Sequence, residues 1–172
     1  QEEVDAAREV AEREEEEAQA ALRLAGRARE AQMVPPYTVR VRVAAARDLP
    51  KVDMMGSCDP YVKVRTGGRE QVTETKMRTY NPDYGAEWEF EVRDKSASLQ
   101  CEVWDFDRGR SDEMVGVVRV PIGKLSLDKP LDAPYKLLLP TGAPVIGHSG
   151  KNSTLLLRVE AVAPPEAGPP AG

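Results

Sequence analysis

The 172-residue chain carries 29 acidic and 24 basic side chains, a formal net charge of −5, and 41% of its residues are hydrophobic. That apolar content supplies one packed core of ordinary domain size rather than two, and the lack of a basic excess excludes a nucleic-acid partner recognised through a global positive footprint. Two cysteines, Cys58 and Cys101, are too few for a disulfide framework and are not in C-x-x-C spacing, which points to a reducing, cytoplasmic compartment.

Residues 1–34 hold ten acidic and five basic side chains, leaving the rest balanced at nineteen of each. Residues 2–33 are almost entirely Ala, Glu, Arg, Leu and Gln, with Arg8/Glu12 and Glu9/Arg13 at supportive i,i+4 spacing, and predict a helix. Its best heptad seam (Val4, Ala7, Ala11, Glu14, Ala18, Ala21, Ala25, Ala28) is mostly alanine and interrupted by a charge. That pattern favours a solvated stalk over a coiled-coil end, and either form offers a surface for a protein partner. "VPPY" at 34–37 ends it, since a proline drives its predecessor from the helical region and cannot donate a backbone hydrogen bond.

From Tyr37 the hydrophobic period becomes two. "TVRVRVAA" places Val39, Val41 and Val43 on one face and Arg40 and Arg42 on the other. "YVKVR", "EWEFEV", "LQCEVW" and "LLLRVEAV" repeat the pattern between Gly, Pro, Asp and Asn clusters. Eight short strands without intervening helical pattern predict an all-β, eight-stranded antiparallel Greek-key sandwich over 37–163, preceded by the helical extension. Cys101, in the alternating run with Leu99 and Val103, belongs to its core, and Trp88 is a core anchor beside a turn at Asn81 and Pro82. Residues 164–172 are a Pro/Gly-rich tail that cannot pack. Aliphatic runs such as "KLLLP" fall short of a membrane span and no signal-peptide pattern opens the chain. Beginning on Gln1, it reads as a piece of something longer.

Loops at one end of a sandwich lie side by side, so acids distant in sequence can converge. Asp53 and Asp59 lie in "KVDMMGSCDPYVKV"; Asp105, Asp107, Asp112 and Glu113 lie in "VWDFDRGRSDEMVG". Gathering such carboxylates costs Coulombic energy unless cations or protons neutralise them, and calcium, which takes six to eight oxygen ligands in flexible geometry, is the natural partner. Zinc would want His or Cys, and the single histidine, His148, sits in a separate Gly/Ser loop and reads as a surface residue. "DFDRGRSDE" opens like an EF-hand loop, but Gly109 and Arg110 stand where that loop needs an oxygen ligand and its turn glycine. Glycosidase-type acid/base work needs a protonated acid in an apolar cleft, which nothing here supplies, so no enzymatic activity is expected.

Three motifs, "DLPKVDMMGSCDPYVKV", "TYNPDYGAEWEFEV" and "VWDFDRGRSDEMVG", occur in an order and spacing that resemble the C2 domain, the calcium- and phospholipid-binding sandwich of synaptotagmins and conventional protein kinases C. The resemblance implies two or three calcium ions held by Asp53, Asp59, Asp105 and Asp107. The family's fifth aspartate stands three residues before the glycine after the loop. That position is Glu113, with Asp112 just before it, and the last ligand is one or the other. "TVRVRV" has no strand before it while "STLLLRVEAV" closes the chain, which fits the family's circularly permuted, type II topology. Met54 and Met55 are candidate membrane-inserting residues, and Arg108 and Arg110 candidate partners of anionic head groups. Lys63, Arg65, Lys76 and Arg78 point outward from adjacent strands as a candidate phosphoinositide patch, diluted by Glu74. The expected function is calcium-dependent, peripheral binding of anionic phospholipid (phosphatidylserine or phosphoinositide) as the membrane-targeting module of a larger protein. The alternative is a calcium-independent scaffold for protein–protein interaction.

Overall fold

The computed structural model describes the backbone of residues 2–51 and 58–164 and the side chains of 5–24, 32–51 and 58–164. Asp53, Met54 and Met55 fall outside the described residues. Helix α1 (Glu2–Ala31) and the sandwich are separate compact units, dividing between Gln32 and Met33. Every described helix side chain, residues 5–24, is exposed, including Val10, Leu22 and Leu24. The coiled-coil expectation finds no support. A seam of alanines with Glu14 in it offers little apolar area to offset the ordering of a second helix. Ahead of Pro35 and Pro36 the chain has already left the helix, and the Met33 N–H donates to the Leu125 carbonyl at 2.7 Å.

The strands are β1 (Tyr37–Arg47), β2 (Pro60–Thr66), β3 (Arg69–Val72), β4 (Asp83–Val92), β5 (Ser98–Asp105), β6 (Glu113–Pro121), β7 (Leu131–Lys136) and β8 (Thr154–Val162). They form two antiparallel sheets, ordered β4-β1-β8-β7 and β3-β2-β5-β6. The C-terminal strand thus lies between β1 and β7, in the permuted order that the sequence predicts. Alternation decides what is buried: Val39, Val41 and Val43 from β1, Val62 and Val64 from β2, Leu99, Cys101 and Val103 from β5, and Leu155, Leu157 and Val159 from β8 all face the core. Trp88 is half-buried against it and Phe90 supplies the fully inserted ring of β4. The buried Tyr37 hydroxyl is satisfied twice, donating to the Ile122 carbonyl and accepting from the Leu125 N–H.

Two irregularities matter for the loops. In β1 the register with both neighbours shifts between Val43 and Ala45. In β6 it shifts between the partners of Val103 and Trp104, so that Val115 is the extra residue and Val115, Gly116, Val117 and Val118 are all buried. Only glycine fits at 116, where a Cβ would stand 2.9 Å from Val145 Cγ2 and 3.1 Å from Leu137 Cβ. Among the described residues no helix is long and apolar enough to cross a membrane.

Core and helix make opposite demands on their leucines. Leu155→Ala removes a fully buried side chain and should cost about 2–5 kcal/mol in urea unfolding. Leu22→Ala, on the exposed helix, should stay within about 0.5 kcal/mol.

Candidate metal and membrane site

The carboxylates meet because of how β2 pairs with β5. Pro60 lies opposite Asp105 in the ladder, which brings the residue before β2 beside the last residue of β5. The Asp59 N–H donates to Asp105 Oδ1 at 2.8 Å, and the Phe106 N–H returns to the Asp59 carbonyl at 2.9 Å. Asp59 Oδ1 accepts the Arg78 N–H at 2.7 Å, and Asp107 Oδ1 accepts the Gly109 N–H at 2.9 Å. These bonds fix the orientation of the carboxylates. Asp59, Asp105 and Asp107, with Met77, Arg78, Phe106 and Arg108, line one open cavity of about 350 Å3.

The donor chemistry there is hard oxygen. A carboxylate has roughly four lone-pair sites, so one N–H bond leaves Asp59 and Asp107 most of their capacity. That suits an oxygen-seeking cation such as calcium better than zinc, since Cys58 is buried and His148 belongs to another cluster. Among the described residues, however, no three Asp, Glu, His or Cys side chains gather closely enough to hold a metal on their own.

The two candidates for the last ligand are not equivalent. Glu113 is exposed and begins β6 opposite Asp105, outside the cavity lining. Asp112 is engaged on both oxygens: Oδ2 accepts the Tyr61 hydroxyl at 2.5 Å and Oδ1 accepts the Asp107 N–H at 3.0 Å. The Tyr61 bond first, then the Asp107 N–H, holds the Asp112 carboxyl below the usual carboxylate range. Burial, reinforced by Asp112, pushes the Tyr61 hydroxyl up to about 12.

Of the candidate lipid residues, Arg108 and Arg110 are exposed, and Arg108 lines the acid cavity. The second patch differs from its expected form. Lys63 and Arg65 lie on β2, but Lys76 and Arg78 belong to an irregular run alongside it, tied by Thr73 N–H to Val62 O, Lys76 N–H to Pro60 O and Thr79 N–H to Cys58 O. Glu102 occupies the middle of this face, only 6% exposed, accepting from Trp104 Nε1 and Gln100 Nε2 and lying 3.7 Å from Arg65. Arg65 also pairs with Glu70, Lys76 with Glu74, and the Lys63 ammonium sits 4.5 Å over the Trp104 ring. Each pair removes cationic reach from the patch. Residues the sequence did not mark are Met77, Phe106, Tyr61 and Glu102. The alternation of "LQCEVW" puts Glu102 on the outer face, but nothing in the sequence signals that Gln100, Trp104 and Arg65 gather over it.

A fold of this topology with acids converging from two loops defines a class, and comparison with known proteins names it: the C2 domain model matches residues 37–137. The chain belongs to the C2 domain family. It is 31% identical to Synaptotagmin-3 of Arabidopsis thaliana over 96 residues, covering 54% of this chain and 18% of that relative. A single C2 domain of a plant Extended Synaptotagmin 1 superposes with a TM-score of 0.64 at 22% identity, covering 77% of this chain and all of that one. The calcium-bound pair of C2 domains from Extended-Synaptotagmin 2 gives 0.58 at 21% identity, covering 74% and 46%. These structural likenesses carry the fold. The chain spans 18% or less of the first six curated relatives it matches, and 23% of a human Synaptotagmin-2. Family and synaptotagmin-like relatives identify a binding module rather than a catalytic one.

At the root of the first acid loop, His148 is a surface residue with an unexpected number of contacts. Its ring stacks on Tyr80 at 4.0 Å, its backbone N–H donates to the Leu49 carbonyl, and Nδ1 stands 2.9 Å from Asp48 Oδ1. Asp48 also accepts from the Ser149 hydroxyl at 2.7 Å and the Ser149 N–H at 3.2 Å. The Ser149 hydroxyl first, and then the Ser149 N–H and His148, keep its carboxyl below the ordinary range against the opposing effect of burial. A depressed folded-state value contributes stability that is present above the unfolded value, about 4, and is lost as pH falls through the folded one. Asp48→Asn tolerates the positive φ of 54° there. Its stability deficit at neutral pH should shrink between about pH 5 and pH 2 in acid-unfolding curves. Parallel wild-type and variant curves would remove Asp48 from the acid response.

Proposed function

We propose that this chain is a calcium-dependent membrane-docking module. The observation that carries the reading is the convergence of Asp59, Asp105 and Asp107 on one open cavity. Asp53, six residues before Asp59, joins them in the proposal as the fourth ligand and Glu113 as the fifth, for two or three ions. Bound calcium supplies positive charge that cancels the carboxylates and turns an end repelling anionic lipid into one attracting it. Arg108 and Arg110 are then the residues that pair with lipid phosphates, and Met54 and Met55 those that enter the head-group region. The module acts at the cytoplasmic face as a peripheral, reversible anchor for a larger protein. Phosphatidylserine is the favoured lipid. The patch around Lys63, Arg65, Lys76 and Arg78 is a weaker phosphoinositide candidate because Glu70, Glu74 and Glu102 neutralise it.

A second reading, a calcium-independent scaffold, is favoured by Arg78 and Arg108 on the same cavity, where cations already stand among the acids. Calcium titration by calorimetry, with and without phosphatidylserine vesicles, separates the two. Under the first reading millimolar calcium raises the melting temperature and magnesium, which demands tighter octahedral geometry, does much less. Asp107→Asn weakens calcium uptake sharply. An unchanged melting curve in calcium would leave the scaffold reading standing.

Docking has its own test. Burial of Met54 and Met55 contributes about 1–2 kcal/mol each. Met54→Ser with Met55→Ser should therefore lower the calcium-dependent affinity for phosphatidylserine vesicles, read by co-sedimentation, by about thirty-fold to several hundred-fold, while calcium affinity without lipid holds. Equal sedimentation of wild type and variant would remove the methionines from the docking surface.

A further inference from the structure

We propose that Tyr61 and Asp112 are positioning residues, whose hydrogen bond fastens the 106–112 loop to strand β2 and sets where Asp107 presents its carboxylate. Both oxygens of Asp112 are engaged inside the protein, one by the Tyr61 hydroxyl at 2.5 Å and one by the Asp107 N–H at 3.0 Å. The Tyr61 side chain projects from the second residue of β2, two positions after Asp59. A single carboxylate therefore connects the strand that follows the first acid loop to the backbone of the acid at the heart of the second. Asp107 is fixed twice, its N–H by Asp112 and its own Oδ1 by the Gly109 N–H. Tyr61 is 8% exposed and Asp112 half-buried, so the bond is partly shielded from bulk water.

The tie explains why an aspartate stands one residue before the glutamate at the family's fifth ligand position. Asp112 accepts a hydrogen bond on each oxygen inside the protein, where Asp59 and Asp107 each engage one oxygen with a loop N–H, so it is the acid most committed to fastening. Glu113, exposed at the start of β6, is left for the cation.

This inference rests on the calcium reading for one of its two readouts, and the test keeps them apart. The full chain, as wild type, Tyr61→Phe, Asp112→Ala, Asp112→Asn and the double variant Tyr61→Phe/Asp112→Ala, is followed by hydrogen exchange without calcium and by calorimetry with calcium chloride. Tyr61→Phe keeps the ring and removes only the donor. It should speed exchange of the Asp107 amide by about three- to ten-fold and weaken calcium binding by a similar factor, with exchange in the core strands unchanged. Asp112→Ala should do at least as much, and adding Tyr61→Phe to it should change nothing further, since both break one connection. Asp112→Asn, which keeps an acceptor for the Asp107 N–H, should be milder. Unaltered exchange at Asp107 in Tyr61→Phe overturns the proposal. So does full calcium affinity in Tyr61→Phe beside a severe loss in Asp112→Asn, the signature of a direct ligand. Wild-type protein that takes up no calcium sinks the calcium reading alone, and the exchange rates then decide the tie.

Discussion

The acid end depends on the alignment of Pro60 with Asp105 across β2 and β5. It converts two sequence-distant loops into neighbours, and the bond from the Asp59 N–H to Asp105 Oδ1 follows from it directly. Shift that pairing by one residue and every side chain of β2 changes face, taking Val62 and Val64 out of the core. The hydrophobic pattern therefore enforces the register, and the register enforces the proximity of the carboxylates. Packing sets their positions, and backbone N–H groups of Asp59, Arg78 and Gly109 supply orienting bonds.

Such an arrangement has an electrostatic cost. Like charges held near one another in a folded protein repel more than in the extended chain. Arg78 and Arg108 offset part of this from the cavity wall. The remaining cost falls on a few loop residues rather than on the core, whose buried side-chain polar atoms all have partners among the described residues. The sandwich thus tolerates a repulsive end because its two sheets are closed independently of it.

The fold was legible because alternation is a strong signal where one face of a strand is buried. "TVRVRV" and "LLLRVEAV" named their own core residues, and the absence of a strand before the first revealed the permuted order. The acids of the second loop were legible through "DFD" at the end of such a run. Partnership was not. That Asp112 serves Tyr61, that Glu102 fills the middle of the basic face, and that Lys76 and Arg78 leave the regular ladder all depend on which segments lie alongside, which periodicity does not encode. The helix was read from propensity, but a seam of alanines could not say whether it has a partner.

The placement of β8 has a mechanical meaning. Thr38 and Val162 face one another across β1 and β8, so the sandwich receives and releases its chain at adjacent points on one pole. Asp59, Asp105 and Asp107 crown the other pole, where β2 begins and β5 ends. A pull on the two ends therefore acts first on the β1–β8 pair at the base, away from the acid loops. The two ends also sit close enough for the sandwich to be spliced into a surface loop of a host protein without separating the host's own chain. The flanking chain thus attaches at the pole opposite the acids and leaves Asp59, Asp105 and Asp107 clear of both attachment points.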